Sequence, residues 1–158
     1  MKNELKLQVE YNLNYSLIAI RSELEDYRFA YFLNKSPFFV FERIKKDICC
    51  IINSQKIYFS TFKYINSAFK RNSFLIGNKS IYRSESADEG NLFSNNLFTN
   101  TAFLLPELKE FDYFLKLKGL WKLSEKENIK KFLKQASYIE SATDIDLKKI
   151  KSINNLVF

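Results

Sequence analysis

The chain contains no histidine. That absence removes Ser-His-Asp and Cys-His catalysis, histidine-ligated metal centres and the usual proton shuttle near neutral pH. Glycine is almost as scarce, with Gly77, Gly90 and Gly119 the only three, so neither a P-loop nor a glycine-rich dinucleotide fingerprint can be assembled. The two cysteines, Cys49 and Cys50, are neighbours. A bond between them would be strained, because disulfides want Cα atoms about 5.5–6 Å apart. No further soft ligands accompany them, so they read as reduced core or strand thiols of a cytoplasmic protein. No apolar run approaches the ~20 residues that span a bilayer. Residues 1–30 lack the basic-then-apolar order of a secretory leader. The expectation is a cytoplasmic protein with no membrane contact.

What is present is apolar bulk and positive charge. Hydrophobic residues make up 46% of the 158, with 16 Phe and 9 Tyr, enough for a packed core and against disorder. The length suits a single domain over residues 1–158. The formal charge is +7, unevenly placed: residues 1–115 hold 15 basic and 13 acidic side chains, residues 116–158 hold 10 and 5. A basic C-terminus invites nucleic acid or an acidic partner. Against that, 20 of the 25 cations are Lys and only 5 are Arg, whereas fork-like phosphate and base recognition favours Arg.

Hydropathy patterning gives the elements. Leu5, Leu7, Val9, Tyr11, Leu13 and Tyr15 alternate with polar residues, a half-buried strand, and Ser16–Ile20 continues as a more central one. Ser22 and Glu25 form a capping box before a helix whose face is Leu24, Tyr27, Ala30 and Tyr31, ending before Pro37. Strands are predicted over Phe38–Lys45, Ile48–Ile52, Lys56–Ile65, Asn72–Lys79, Thr101–Leu105 and Phe111–Lys118, with turns at Asn53-Ser54 and Asn66-Ser67. Residues 80–100 are the most loop-like. Two C-terminal helices are predicted within about 124–158: one capped by Ser124 and Glu127, one capped by Thr143 that buries Leu147, Ile150, Ile153 and Val157. The sum is an α+β fold, a largely antiparallel sheet of about six or seven strands with helices packed on one face.

Candidate chemistry is sparse. Glu23, Glu25 and Asp26 cluster where a helix dipole favours carboxylates, and on a helix those positions diverge too much for a Mg²⁺ site. Tyr27 reads as core, and Arg28 as a partner for Glu25 or Glu23. Leu105–Tyr113 is the most individual stretch. Its Glu107 and Asp112 are the only pair worth weighing as a carboxylate acid and base, but backbone or partner recognition explains them with less. No metal or cofactor is expected. Lys56–Lys63 interleaves aromatics with lysine as a nucleic-acid surface does, and a buried sheet face accounts for the same residues.

Two segments carry a family resemblance. Leu17-Ile18-Ala19-Ile20 with Leu24-Glu25-Asp26-Tyr27-Arg28, and Leu105-Pro106-Glu107 with Asp112-Tyr113-Phe114-Leu115-Lys116, resemble the IPExxxDY family of small uncharacterised Bacteroidetes-type bacterial proteins. Leu105 stands where the motif has Ile, and four residues rather than three separate Glu107 from Asp112. The resemblance implies a cytoplasmic bacterial stand-alone domain with Glu107, Asp112 and Tyr113 as motif positions, and it brings no catalytic residue. The expected function is a non-enzymatic protein-interaction module using Glu107, Asp112, Tyr113, Asp26, Tyr27 and Arg28. The second reading is a nucleic-acid-binding protein, with lysines 118, 122, 126, 130, 131 and 134 on one face.

Overall fold

The computed structural model describes residues 14–84 and 98–158, so the alternating segment Leu5–Leu13 and residues 85–97 lie outside the described residues. The chain opens with β1 (Tyr15–Arg21) and α1 (Asp26–Leu33). Next come β2 (Glu42–Arg43), β3 (Ile48–Ile52), β4 (Gln55–Phe59), β5 (Thr61–Asn66), β6 (Arg71–Gly77) and β7 (Lys79–Ser84). After β8 (Phe98–Phe103), a 3-10 turn at Pro106–Leu108 leads to β9 (Tyr113–Gly119), α2 (Leu123–Gln135) and β10 (Ser141–Asp144). Two more 3-10 turns, Leu147–Lys149 and Ile153–Leu156, follow. Six strands form one antiparallel sheet in the order β10-β1-β9-β6-β5-β2. The hairpins β3-β4 and β7-β8 stand as two further small sheets.

Both faces of the large sheet are covered, and that explains the uniformly apolar β1. Ile18, Ile20, Tyr113, Leu115, Leu117 and Leu75 face α1 and α2, meeting Phe29, Leu33, Ile129 and Leu133. Their alternates Leu17, Ala19, Phe114, Phe74 and Ile76 face the hairpins and the C-terminal segment, meeting Ile57, Phe59, Leu104, Ile153 and Leu156. A strand buried on both sides has no polar face to keep. The predicted β3, its Asn53-Ser54 turn and β9 all form. Positive φ at Asn53 (50°) and Ser54 (64°) makes that connection the two-residue hairpin turn that suits strand twist. Gly119 is required where it stands: φ is 104°, and a Cβ there would lie 2.3 Å from the Lys70 carbonyl oxygen.

Four expectations are corrected. Ser22 caps no helix, because its hydroxyl donates to the Tyr138 carbonyl (2.6 Å) and α1 begins only at Asp26. The buried face of α1 is Phe29, Ala30 and Leu33, leaving Tyr27 and Tyr31 61% and 59% exposed. The stretch before β3 is strand only at Glu42–Arg43. Asn34 takes both backbone groups of Phe41, accepting its N–H (2.6 Å) and donating to its carbonyl (2.9 Å), which withholds it from a ladder. The predicted strand Lys56–Ile65 is broken at Ser60 into β4 and β5.

At the C-terminus one helix forms, not two. α2 starts at Leu123, with Glu125 in place of Glu127 accepting the Lys122 N–H (2.9 Å). Thr143 lies in β10, opposite Ala19, because the outer edge of β1 recruits these residues as a strand. The residues beyond bury Ile150, Ile153 and Leu156 through short turns, while Val157 is exposed.

Candidate functional site

Of the six candidate residues, the structure gathers Asp26, Asp112 and Tyr113 around one cleft of about 770 Å³. It lies where β1, β6 and β9 meet the start of α1, and Arg43, Asp47, Tyr58, Ser60 and Lys79 complete much of its wall. Glu107, Tyr27 and Arg28 do not line it. Tyr27 is exposed, as is Arg28, which makes no ion pair among the described residues.

Arg43 and Lys79 are spent on the aspartates of the cleft, while the exposed Glu23 and Glu25, which also line it, make no ion pair among the described residues. Arg43 bridges Asp26 (3.2 Å) and Asp47, and Lys79 pairs with Asp112 (2.6 Å). The second Asp112 oxygen accepts the Ser22 backbone N–H (2.9 Å), which fastens the β8–β9 connection to the end of β1. The Tyr113 hydroxyl donates to the Leu24 carbonyl (2.5 Å), and its ring stacks on Phe29 at 4.6 Å. Burial, reinforced by Asp26, Asp112 and Glu25, pushes the Tyr113 phenol far up, so it stays a donor at any ordinary pH. No group of three or more metal-ligating side chains converges among the described residues.

Glu107 sits elsewhere and holds the C-terminal segment. Its carboxylate accepts both the Ser152 backbone N–H (2.7 Å) and the Ser152 hydroxyl (3.0 Å). Burial alone would raise the Glu107 carboxyl, but the bonds from Ser152 and nearby backbone outweigh it and hold it below its ordinary value. Glu107 and Asp112 therefore form no acid–base pair: each bonds a backbone amide in a different part of the fold. The sign for stability follows. A carboxyl held low contributes above its unfolded value, and the contribution fades as pH falls through the folded one. Glu107→Ala is expected to cost about 1–2 kcal/mol near neutral pH, loosening residues 147–158 first. Denaturant titration with amide exchange at Ser152 measures it, and unchanged Ser152 protection would remove the clasp.

The organising residue of this loop is one that sequence reasoning missed. Asn78, fully buried, donates from its side chain to the Leu108 and Phe111 carbonyls (2.9 Å each) and accepts the Leu105 N–H (2.9 Å). Its backbone adds Asn78 N–H to the Asp112 carbonyl and Leu104 N–H to its own carbonyl. A lone Asn after a glycine carries no sequence signal for such a role. The motif positions surround a loop that Asn78 centres.

Two other features lie outside the motif. The first is the outer edge of β3. Among the described residues that strand pairs only with β4, and its five residues Ile-Cys-Cys-Ile-Ile carry no charge. A groove of about 570 Å³ runs beside it, walled opposite by Phe103, Pro106, Val157 and Phe158. Both cysteines are free thiols on this strand. The second concerns the lysines. Lys118 alternates with Leu117 on β9 and so lies on the sheet face away from α2. On α2, Lys126 donates to the Ser16 hydroxyl (2.7 Å) and Lys130 is neutralised by Asp144 (2.7 Å). Lysines 118, 122, 126, 130, 131 and 134 thus form no single face. No protein-family model matches the chain, and no curated protein or solved structure matches it.

Proposed function

We propose that this protein is a non-enzymatic protein-interaction module, and that it takes up an extended segment of a partner along the open edge of β3. The observation that supports the reading is the state of that edge. Across a two-residue turn, the flanking pair Ile52 and Gln55 exchanges both ladder hydrogen bonds, and hydrogen-bonded pairs alternate from there. Ile48, Cys50 and Ile52 therefore spend their backbone groups on β4, and Cys49 and Ile51 direct theirs outward. None of the described residues bonds those outward groups. Edges normally carry charge to repel stray strands, as the large sheet does with Glu42 and Arg43 on β2 and Asp144 on β10. β3 carries none. An added strand would gain main-chain bonds from Cys49 and Ile51, and its side chains would meet Phe103, Val157 and Phe158.

The module is read as cytoplasmic, and the IPExxxDY resemblance stays part of the proposal, with Glu107, Asp112 and Tyr113 as its shared loop. Nucleic acid draws less support, since the six lysines are divided between the two faces of the sheet. The test is Ile51→Pro, which removes only an outward N–H and leaves the β4 ladder intact. Tagged wild type and variant are compared as baits in the native cell. The wild type is expected to recover a partner that the variant loses by about tenfold or more, with amide exchange at Cys49 and Ile51 slowed in the complex. Equal recovery by both, or no partner for the wild type, overturns the reading.

A further inference from the structure

At the end of the sheet opposite the cleft, the turn between β5 and β6 and the connection from β9 to α2 lie side by side. They are locked at the backbone, with Gly119 packed against the Lys70 carbonyl. The Arg71 guanidinium sits between the rings of Phe69 (5.0 Å) and Trp121 (4.6 Å), donates to the Leu120 carbonyl (2.6 Å) and pairs with Glu125 (2.7 Å). From this rigid base apolar side chains project into solvent: Leu120 is 71% exposed, Leu123 72% and Phe69 59%. Phe69, Leu120 and Trp121 line an open apolar depression of about 480 Å³. Lys70 and Lys122 flank it, and neither has an ion-pair partner among the described residues. Glu125, the acid at this end, is consumed by Arg71 and the Lys122 N–H. The exposed Glu127 lies two residues further along α2, one turn from Leu123.

We propose that this end of the molecule docks on an anionic lipid surface, with Phe69, Leu120 and Leu123 entering the headgroup region and Lys70 and Lys122 meeting lipid phosphates. This departs from the expectation of no membrane contact. It concerns attachment at the surface: no helix among the described residues is long and apolar enough to cross a membrane. Four observations favour lipid over the other anionic partners. The apolar side chains protrude from the β5–β6 turn, the β9–α2 connection and the first residue of α2, where a peptide anchor would need an enclosed pocket. Arg71 already covers a face of both rings, the faces on which nucleobases would stack. The one guanidinium is bonded internally, leaving lysines, which act as point charges on any phosphate. Trp121 lies at the margin of the patch, where tryptophan is favoured at lipid–water boundaries.

Trp121 is the only tryptophan of the chain, so its emission reports the site directly. The full chain is mixed with vesicles of phosphatidylcholine alone or with about 30% phosphatidylserine. Co-sedimentation and a blue shift of Trp121 are expected with the anionic vesicles only, weakening about tenfold or more from low to high salt. Leu120→Glu with Leu123→Glu, both at exposed positions and checked for fold by circular dichroism, is expected to abolish both signals. Ile81→Glu, an equally exposed apolar position on β7, is expected to leave them unchanged. No anionic-vesicle binding, or equal binding by the double variant, overturns the proposal. So does a Trp121 response to polyuridylate or polyglutamate that matches or exceeds the vesicle response, the first assigning the patch to nucleic acid and the second to an acidic protein.

Discussion

Asn78→Ala is expected to cost about 4 kcal/mol of folding stability, from the loss of three side-chain bonds that leaves the Leu105 N–H and the Leu108 and Phe111 carbonyls without partners. Each unsatisfied buried group costs about 1–3 kcal/mol, and water has little access to a residue with no exposed surface. Asn78→Asp separates this from a loss of volume. Aspartate keeps the shape and can still accept the Leu105 N–H, but it aims a carboxylate oxygen at two carbonyls, so it should be no better than alanine. Denaturant unfolding of both variants decides the matter. A cost below about 1 kcal/mol for either would mean that the loop holds without Asn78.

The second large effect concerns Lys116. This lysine sits mid-strand on β9 with 2% of its surface exposed, and no carboxylate among the described residues pairs with it. Its ammonium donates to the Leu156 carbonyl (2.6 Å) and lies over the rings of Phe158 (3.8 Å), Tyr15 (4.5 Å) and Phe74 (5.6 Å). Burial, with a smaller push from Lys118, lowers it from the ordinary 10.5 to about 8. Between about 8 and 10.5 the unfolded chain holds a proton that the folded chain has released, so Lys116 makes stability rise with pH across that window. The full swing is about 3 kcal/mol. Tyr15, Tyr138 and Cys50, all raised by burial, act in the opposite sense: what they contribute below their unfolded values is lost as pH climbs through the folded ones.

The difference between wild type and Lys116→Met isolates the lysine. Methionine fills similar space without a charge to desolvate, so it should be more stable by about 1–3 kcal/mol at pH 7, the lost bond to Leu156 offsetting part of the gain. The advantage should vanish toward pH 10.5. Parallel stability curves across that range would show that the ammonium pays no burial cost.

These residues also show what could be read from sequence. β1, β3, β9 and α2 were readable because each is written locally: an apolar run in β1 and β3, alternation in β9 and helical spacing in α2. α1 admitted two solutions of the same period. Tyr27 and Tyr31 lie one turn apart, and so do Phe29 and Leu33. Packing on the sheet, with Phe29 stacked on Tyr113 and Leu33 buried beside it, selects the second. The Ser22 capping box and the helix after Thr143 failed for a shared reason: distant residues claimed the groups that local chemistry assigned, Tyr138 in one case and β1 in the other. Of the candidate residues, Glu107, Asp112 and Tyr113 stood out in sequence. Their partners Ser152, Ser22 and Leu24 did not, since nothing local links positions so far apart.

The position of β1 in the sheet bears on how the chain is made. Its neighbours are β9 and β10, so Tyr15 must wait for Lys118, and Arg21 for Ser141. During synthesis a strand of Tyr-Ser-Leu-Ile-Ala-Ile-Arg emerges early and finds its partners only after nearly all the intervening chain has followed. Such long-range pairing makes for slow folding and a lengthy exposure of apolar surface. The nascent chain therefore has a period in which β1 is an unpaired apolar segment, and that period closes as β9 and then β10 arrive.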